Sequence, residues 1–100
     1  MLYASFVNLT GLLWDEVNEA HIGRHQVSRQ EVVEVVFSTG AIFAVDDSHR
    51  RDRLLVFGAS AAGRHLVVVL DEPTTAGAAY VVTARPMTVK ERREYEEAQE

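Results

Sequence analysis

Cysteine is absent from this 100-residue chain, which excludes disulfides, thiolate metal sites and thiol nucleophiles. That absence suits a reducing compartment, and a cytoplasmic location is expected. Long apolar runs are missing as well. Residues 1–13 are mostly apolar, but Asn8, Thr10 and Gly11 interrupt them and they lack a basic start. Nothing approaches the roughly 20 apolar residues that span a bilayer, so no membrane partner is expected. Positive charge is also scarce: ten Lys and Arg against fifteen Asp and Glu give a formal charge of −5. Bulk electrostatic attraction to nucleic acid is therefore disfavoured, and any polyanion site must be local. Neither an internal repeat nor a low-complexity segment is present. What remains is enough apolar material for one small core, and a single domain over residues 1–100 is expected.

Periodicity and capping residues predict the elements. Over residues 15–26, Val17, Ala20, His21 and Arg24 recur at helical spacing, with Asp15 and Glu16 in the first turn. Gly23 weakens that helix by about 1 kcal/mol relative to alanine. A second helix starts at a capping box, Ser28 with Glu31, with Val27 as staple against Val32. Val32, Val35 and Val36 form its apolar stripe, which Val33 and Phe37 are expected to widen. Thr39 and Gly40 end it. Strands are expected over residues 41–45, 54–59, 65–70 and 80–84, joined by a polar loop over 46–53 and turns at 61–63 and 71–77. The run Leu66-Val67-Val68-Val69-Leu70 is apolar on both faces and belongs at the centre of the sheet.

The last third carries the sharpest local pattern. A β-branched strand ends in Arg85, Pro86 breaks it, and Thr88 with Glu91 forms a capping box that opens a charged helix. Arg85, Lys90, Arg92 and Arg93 then surround one strand–helix junction, which suggests an anion site. The plainer reading is a surface salt bridge from Arg85 to Glu91 or Glu94, with pairs such as Arg92–Glu96 and Arg93–Glu97 along a solvated helix.

Three pieces of the chain together resemble a known family. Trp14-Asp15-Glu16, His21, Arg24-His25 and Val27-Ser28 look like the opening of the BrnT family, small ribonuclease toxins of bacterial type II toxin–antitoxin pairs. Gly63-Arg64 before the Leu-Val-Val-Val strand resembles its middle, and Ala84-Arg85-Pro86-Met87-Thr88 with Glu91-Arg92-Arg93-Glu94-Tyr95-Glu96 its end. The likeness covers residues 13–97, with residues 1–12 as a lead-in longer than the family usually has. It implies an α+β, RelE-like fold: a twisted antiparallel sheet of about four strands, two N-terminal helices packed on it, and a C-terminal helix. It also implies metal-independent RNA cleavage without a cofactor, and a BrnA-like antitoxin as partner. Gln26 stands where the family has a glycine after the histidine, so a turn of different shape is expected there. RelE-like ribonucleases also tend to be basic, unlike this chain.

Metal-free RNA cleavage uses the 2′-hydroxyl as internal nucleophile and needs a base, an acid and cations for the charge developing on phosphorus. Under the resemblance, the catalytic candidates are His25, Arg64, Arg85 and Glu91, and the RNA-binding candidates Lys90, Arg92, Arg93 and Tyr95. Arg85 suits phosphate because a planar fork grips two oxygens. Arg64 could supply a second cation, and His25 can give or take a proton near neutral pH. Glu91 and Tyr95 are the fallback base and acid. The plainer readings stand beside these: Arg64 solvated after a turn glycine, His25 closing a helix against its dipole, Trp14 in the core. His21 and His25 could share a helix face, but two ligands are too few for a metal without His49, His65 or distant carboxylates. A non-catalytic module that pairs with an antitoxin-type partner, or regulates without cleaving RNA, is the alternative reading. Exposed sheet edges also invite strand addition, and a homodimer or toxin–antitoxin assembly is expected.

Overall fold

Hydrogen bonds between short side chains and the backbone set where each helix begins. The computed structural model describes residues 9–46 and 52–99, and its helices α1 (Glu16–Arg24), α2 (Arg29–Val36) and α3 (Val89–Ala98) each start at a reciprocal capping box. For α2 and α3 the boxes are those expected, Ser28 with Glu31 and Thr88 with Glu91. For α1 the N-cap is Asp15, which is not a first-turn residue. Its Oδ1 accepts from Asn18 N at 2.9 Å, and Asn18 Oδ1 accepts from Asp15 N at 2.9 Å. The Asn18 side chain also donates to Leu13 O at 2.9 Å, and the residue is fully buried.

This inward asparagine turns α1 about its axis relative to expectation. Asn18 and Ile22, one turn apart, form the buried face, whereas Val17 is 59% exposed and Ala20 is exposed. In α2 the expected stripe of Val32, Val35 and Val36 is buried with the staple Val27. Val33 and Phe37 are solvent-exposed instead, because each lies one residue further round the helix from that stripe.

The sheet runs in the order β1-β5-β4-β3-β2, with β1 Gly11–Leu13, β2 Ile42–Asp46, β3 Arg53–Ala59, β4 His65–Asp71 and β5 Ala78–Pro86. Strands β2 to β5 form the expected antiparallel meander. The sheet has five strands where about four were expected, because β1 pairs in parallel with Ala78–Tyr80 of β5, so the sheet is mixed. Three residues of Gly-Leu-Leu give no alternation long enough to register as a strand. Most of the expected 46–53 loop lies outside the described residues, including His49; Asp46 and Arg53 pair as the ends of β2 and β3.

Alternation along the strands divides the sheet into two faces. Leu54, Val56, Leu66, Val68, Leu70, Ala79, Val81 and Ala84 meet Ile22, Val27, Val32, Val35 and Val36 in the core, where α1 lies on β5 and α2 on β3 and β4. β4 is central, as its two-sided apolar run requires, and even Val67 on the opposite face is fully buried. On that face lie Arg85, paired with Val67, and Phe57, paired with Val67 from the other side. α3 spans the same face without burying any of its own residues.

Candidate functional site

Strand pairing brings the start of β4 and the end of β5 together. Leu66 pairs with Pro86, and Met87 N donates to His65 O at 3.1 Å, so Arg64 and Arg85 both stand at this end of the sheet. Their side chains then part to opposite faces, and each meets the glutamate of a capping box.

Arg85 grips Glu91 with two parallel bonds, Nη1 to Oε1 at 2.7 Å and Nη2 to Oε2 at 2.8 Å, while Nη1 also reaches Pro86 O at 3.2 Å. Thr88 N donates to the same Glu91 Oε1 at 2.8 Å. The Arg85 guanidinium, helped by the Thr88 amide, holds the Glu91 carboxyl far below the usual range, at about 2. Glu91 is therefore an anion at any physiological pH. The Nε edge of Arg85 has no partner among the described residues, and its side chain is 36% exposed.

Arg64 crosses from the β3–β4 turn to the junction of α1 and α2. Gly63, at φ +88, makes the turn, and Ser60 Oγ accepts from Arg64 N at 3.1 Å. Arg64 Nη1 donates to Gln26 O at 2.6 Å and to Glu31 Oε1 at 3.1 Å, and Nη2 donates to His25 O at 3.2 Å. It thereby satisfies carbonyls at the end of α1, where a cation also complements the helix dipole. The Ser28 amide, followed by Arg64, keeps the Glu31 carboxyl below its ordinary value.

Gln26 lies between those two carbonyls at φ +57. The turn after His25 keeps the left-handed conformation that suits glycine, where a different shape was expected; glutamine adopts it at a cost of roughly 1–2 kcal/mol. Four bonds at this junction over-determine it: the two from Arg64 to the carbonyls of His25 and Gln26, that from Gln26 N to Gly23 O at 3.0 Å, and that from Val27 N to Ile22 O at 3.0 Å.

The predicted residues thus form two groups. His25 and Arg64 stand together on the side of α1 and α2, where the exposed His25 closes α1 through its backbone N–H. Arg85 and Glu91 stand on the α3 side, followed by the exposed Lys90, Arg92 and Arg93. Arg92 pairs with Glu96 at 3.4 Å as expected, but no pair closes between Arg93 and Glu97 among the described residues. Tyr95 turns inward: its hydroxyl donates to Gly40 O at 3.3 Å, and its ring meets His65 edge-on at 5.7 Å. A groove of about 570 Å³ separates α3 from Ile42, Ala44 and Phe57, walled by Lys90, Glu91, Glu94 and Tyr95. Trp14 packs against the core and carries the Arg29 guanidinium 5.0 Å from its ring centre.

Sequence reasoning missed a second cleft. His21, Arg24 and His25 on one face of α1 meet Val82 and Thr83 of β5 around about 310 Å³. Their i, i+3, i+4 spacing was the available signal; the sequence offers His21 with His25 as a metal pair and His25 as a proton carrier, but nothing in it joins Arg24 to them across β5.

No helix among the described residues is long and apolar enough to cross a membrane. No curated protein matches the chain. Residues 14–91, from Trp14 to the glutamate that holds Arg85, match the family described as "Ribonuclease toxin, BrnT, of type II toxin-antitoxin system". With the α+β fold and the motif residues at the ends of β4 and β5, the chain belongs to the BrnT family of ribonuclease toxins, whose type II systems pair each toxin with an antitoxin protein.

Proposed function

We propose that this chain is an endoribonuclease toxin that cleaves RNA without a metal or cofactor, using the ribose 2′-hydroxyl as nucleophile, and that a BrnA-like antitoxin restrains it. The reaction balances with no co-reactant: the 2′-oxygen bonds to phosphorus, the bond from phosphorus to the 5′-oxygen breaks, a base takes the 2′ proton and an acid protonates the leaving oxygen. The observation that carries this reading is the state of Arg85. Glu91 occupies one edge of its guanidinium, and the Nε–Nη2 edge remains for a second, two-point contact with phosphate oxygens.

Glu91, with its carboxyl held at about 2, is a weak base, so its part is to orient Arg85. His25 carries the proton transfer, and Arg64 fixes the turn that presents it. Lys90, Arg92, Arg93 and Tyr95 extend the RNA contacts along α3. Among the described residues β2 has a strand neighbour on one side only, and its other edge is where a second copy would add to make a homodimer.

A non-catalytic, antitoxin-binding module is the second reading, favoured by one observation: both arginines already hold carboxylates in a chain of net charge −5. End-labelled single-stranded RNA incubated with the protein and a chelator separates the two. Cleavage is expected, with loss of about 10²–10⁴-fold in Arg85→Ala and none of a substrate carrying 2′-deoxy at the cut site. RNA left whole by the parent, with and without ribosomes, would leave only the module.

A further inference from the structure

We infer that the cleft between α1 and the unpaired half of β5 binds a phosphodiester of single-stranded RNA next to the one held by Arg85. This inference rests on the RNA-cleaving reading above and adds a subsite to it. The cleft is lined by His21, Arg24, His25, Val82 and Thr83, so among the described residues no carboxylate enters its wall although acids outnumber bases in the chain. The Arg24 guanidinium has no carboxylate partner among the described residues, unlike Arg29, Arg64, Arg85 and Arg92.

Backbone irregularity builds the cleft. Strand β1 pairs with β5 only as far as Tyr80, so beyond that point β4 is its one strand neighbour among the described residues. The register on β4 steps from Leu70–Val81 to Val69–Thr83, which leaves Val82 as an extra residue in a bulge. The carbonyl of Val82 lies 3.3 Å from His21 Nδ1. A carbonyl can only accept, so Nδ1 carries a hydrogen in that contact and Nε2 is the ring nitrogen left for a ligand. A ring anchored in this way is oriented before anything binds. Arg24 adds a fork and His25 a second imidazole, beside Thr83.

Position gives the ligand class. Thr83 precedes Arg85 by two residues on the same face of β5, a separation of about 6.6 Å at strand rise. Successive phosphates of one extended strand can therefore be met by Arg85 and by the cleft.

The test uses a short 2′-O-methyl single-stranded RNA, which lacks the nucleophilic hydroxyl, so binding is read without cleavage. Histidine ring signals of the labelled full chain are followed by NMR in a chelator, and affinity is measured against salt. The His21 and His25 signals should move on titration. Arg24→Ala should weaken binding five- to tenfold and lower the slope of log affinity against log salt by about 0.7, the value for one phosphate contact on a single strand. Arg29→Gln, which removes a charge outside the cleft, should leave the slope within half that change. Three results overturn the subsite: ring signals that stay still while backbone signals elsewhere report the bound RNA, a salt slope unchanged in Arg24→Ala, or a glutamate-rich peptide that moves the rings more strongly than RNA does. If Arg24→Ala also cleaves unmodified RNA like the parent, the subsite alone has failed and the ribonuclease reading stands. If the rings respond and no RNA is ever cut, the subsite stands and the catalytic reading falls.

Discussion

Replacing Gln26 by glycine should make this protein more stable, although glycine usually weakens a chain. Gln26 sits at φ +57, which costs a residue with a Cβ roughly 1–2 kcal/mol. Its side chain is exposed, and the bonds that fix the turn all use its backbone: the carbonyl accepts from Arg64 and the amide donates to Gly23 O. Nothing in the folded state is lost with the side chain. Glycine brings a greater unfolded-state entropy of about 0.5–1 kcal/mol, so the net gain should be about 0.5–1 kcal/mol. For a domain of this size that corresponds to about 2–8 °C in Tm, read from a circular-dichroism melt. The opposite exchange three residues earlier makes the comparison sharp. Gly23 is helical and exposed, and a Cβ built on it meets no atom within 4 Å, so Gly23→Ala should also raise Tm. A Tm lowered by Gln26→Gly would mean that the strain argument is wrong. If Gly23→Ala and Gln26→Gly moved Tm in opposite directions, composition and not backbone conformation would be governing both.

Asn18→Ala should cost about 2–3 kcal/mol in a urea titration, because it strips a cap from α1 and leaves Leu13 O and Asp15 N without their side-chain partner; a loss under 0.5 kcal/mol would contradict this. The Glu91 carboxyl is lowered on folding from 4.5 to about 2, so its stabilisation is complete above pH 4.5 and is lost as the pH falls towards 2. After allowance for solvent screening this amounts to about 1 kcal/mol, and the lowered carboxyls of Asp15 and Glu31 steepen the same acid limb. Urea midpoints measured between pH 6 and pH 2 should fall across that window and fall less in Glu91→Gln; parallel curves for parent and variant would exclude the assignment.

The elements that were legible in the sequence are those whose signals are local. Ser28 with Glu31 and Thr88 with Glu91 announce helix starts within four residues, and the valine run of β4 announces a buried strand. A salt bridge from Arg85 to Glu91 or Glu94 was visible too, as the plain alternative to an anion site, and the structure closes it on Glu91. What could not be read depends on partners distant in sequence. Asn18 is inward because Leu13 O and the Asp15 amide need it there, and that turned α1 away from the face suggested by Val17 and Ala20. β1 exists only because Ala78–Tyr80 lies beside it. Arg64 read either as a second cation or as a solvated turn residue, and neither reading foresaw the carbonyls of His25 and Gln26 to which the fold brings it. The cleft of His21, Arg24 and His25 needed the bulge at Val82, which leaves no trace in composition.

The lack of any buried side chain in α3 gives the molecule two stabilities instead of one. The sheet with α1 and α2 shares a continuous core, and opening any part of it exposes fully buried leucines and valines. α3 is fastened at its two ends: by Arg85 on Glu91 at the first turn, and by Tyr95 and Gln99, both on Gly40 O, at the last. Releasing those clasps frees the whole helix at a fraction of the global unfolding free energy, and its amides then exchange through that local opening. A protein that approaches the face formed by Ile42, Ala44 and Phe57 therefore meets a helix it can peel aside while the fold beneath stays closed.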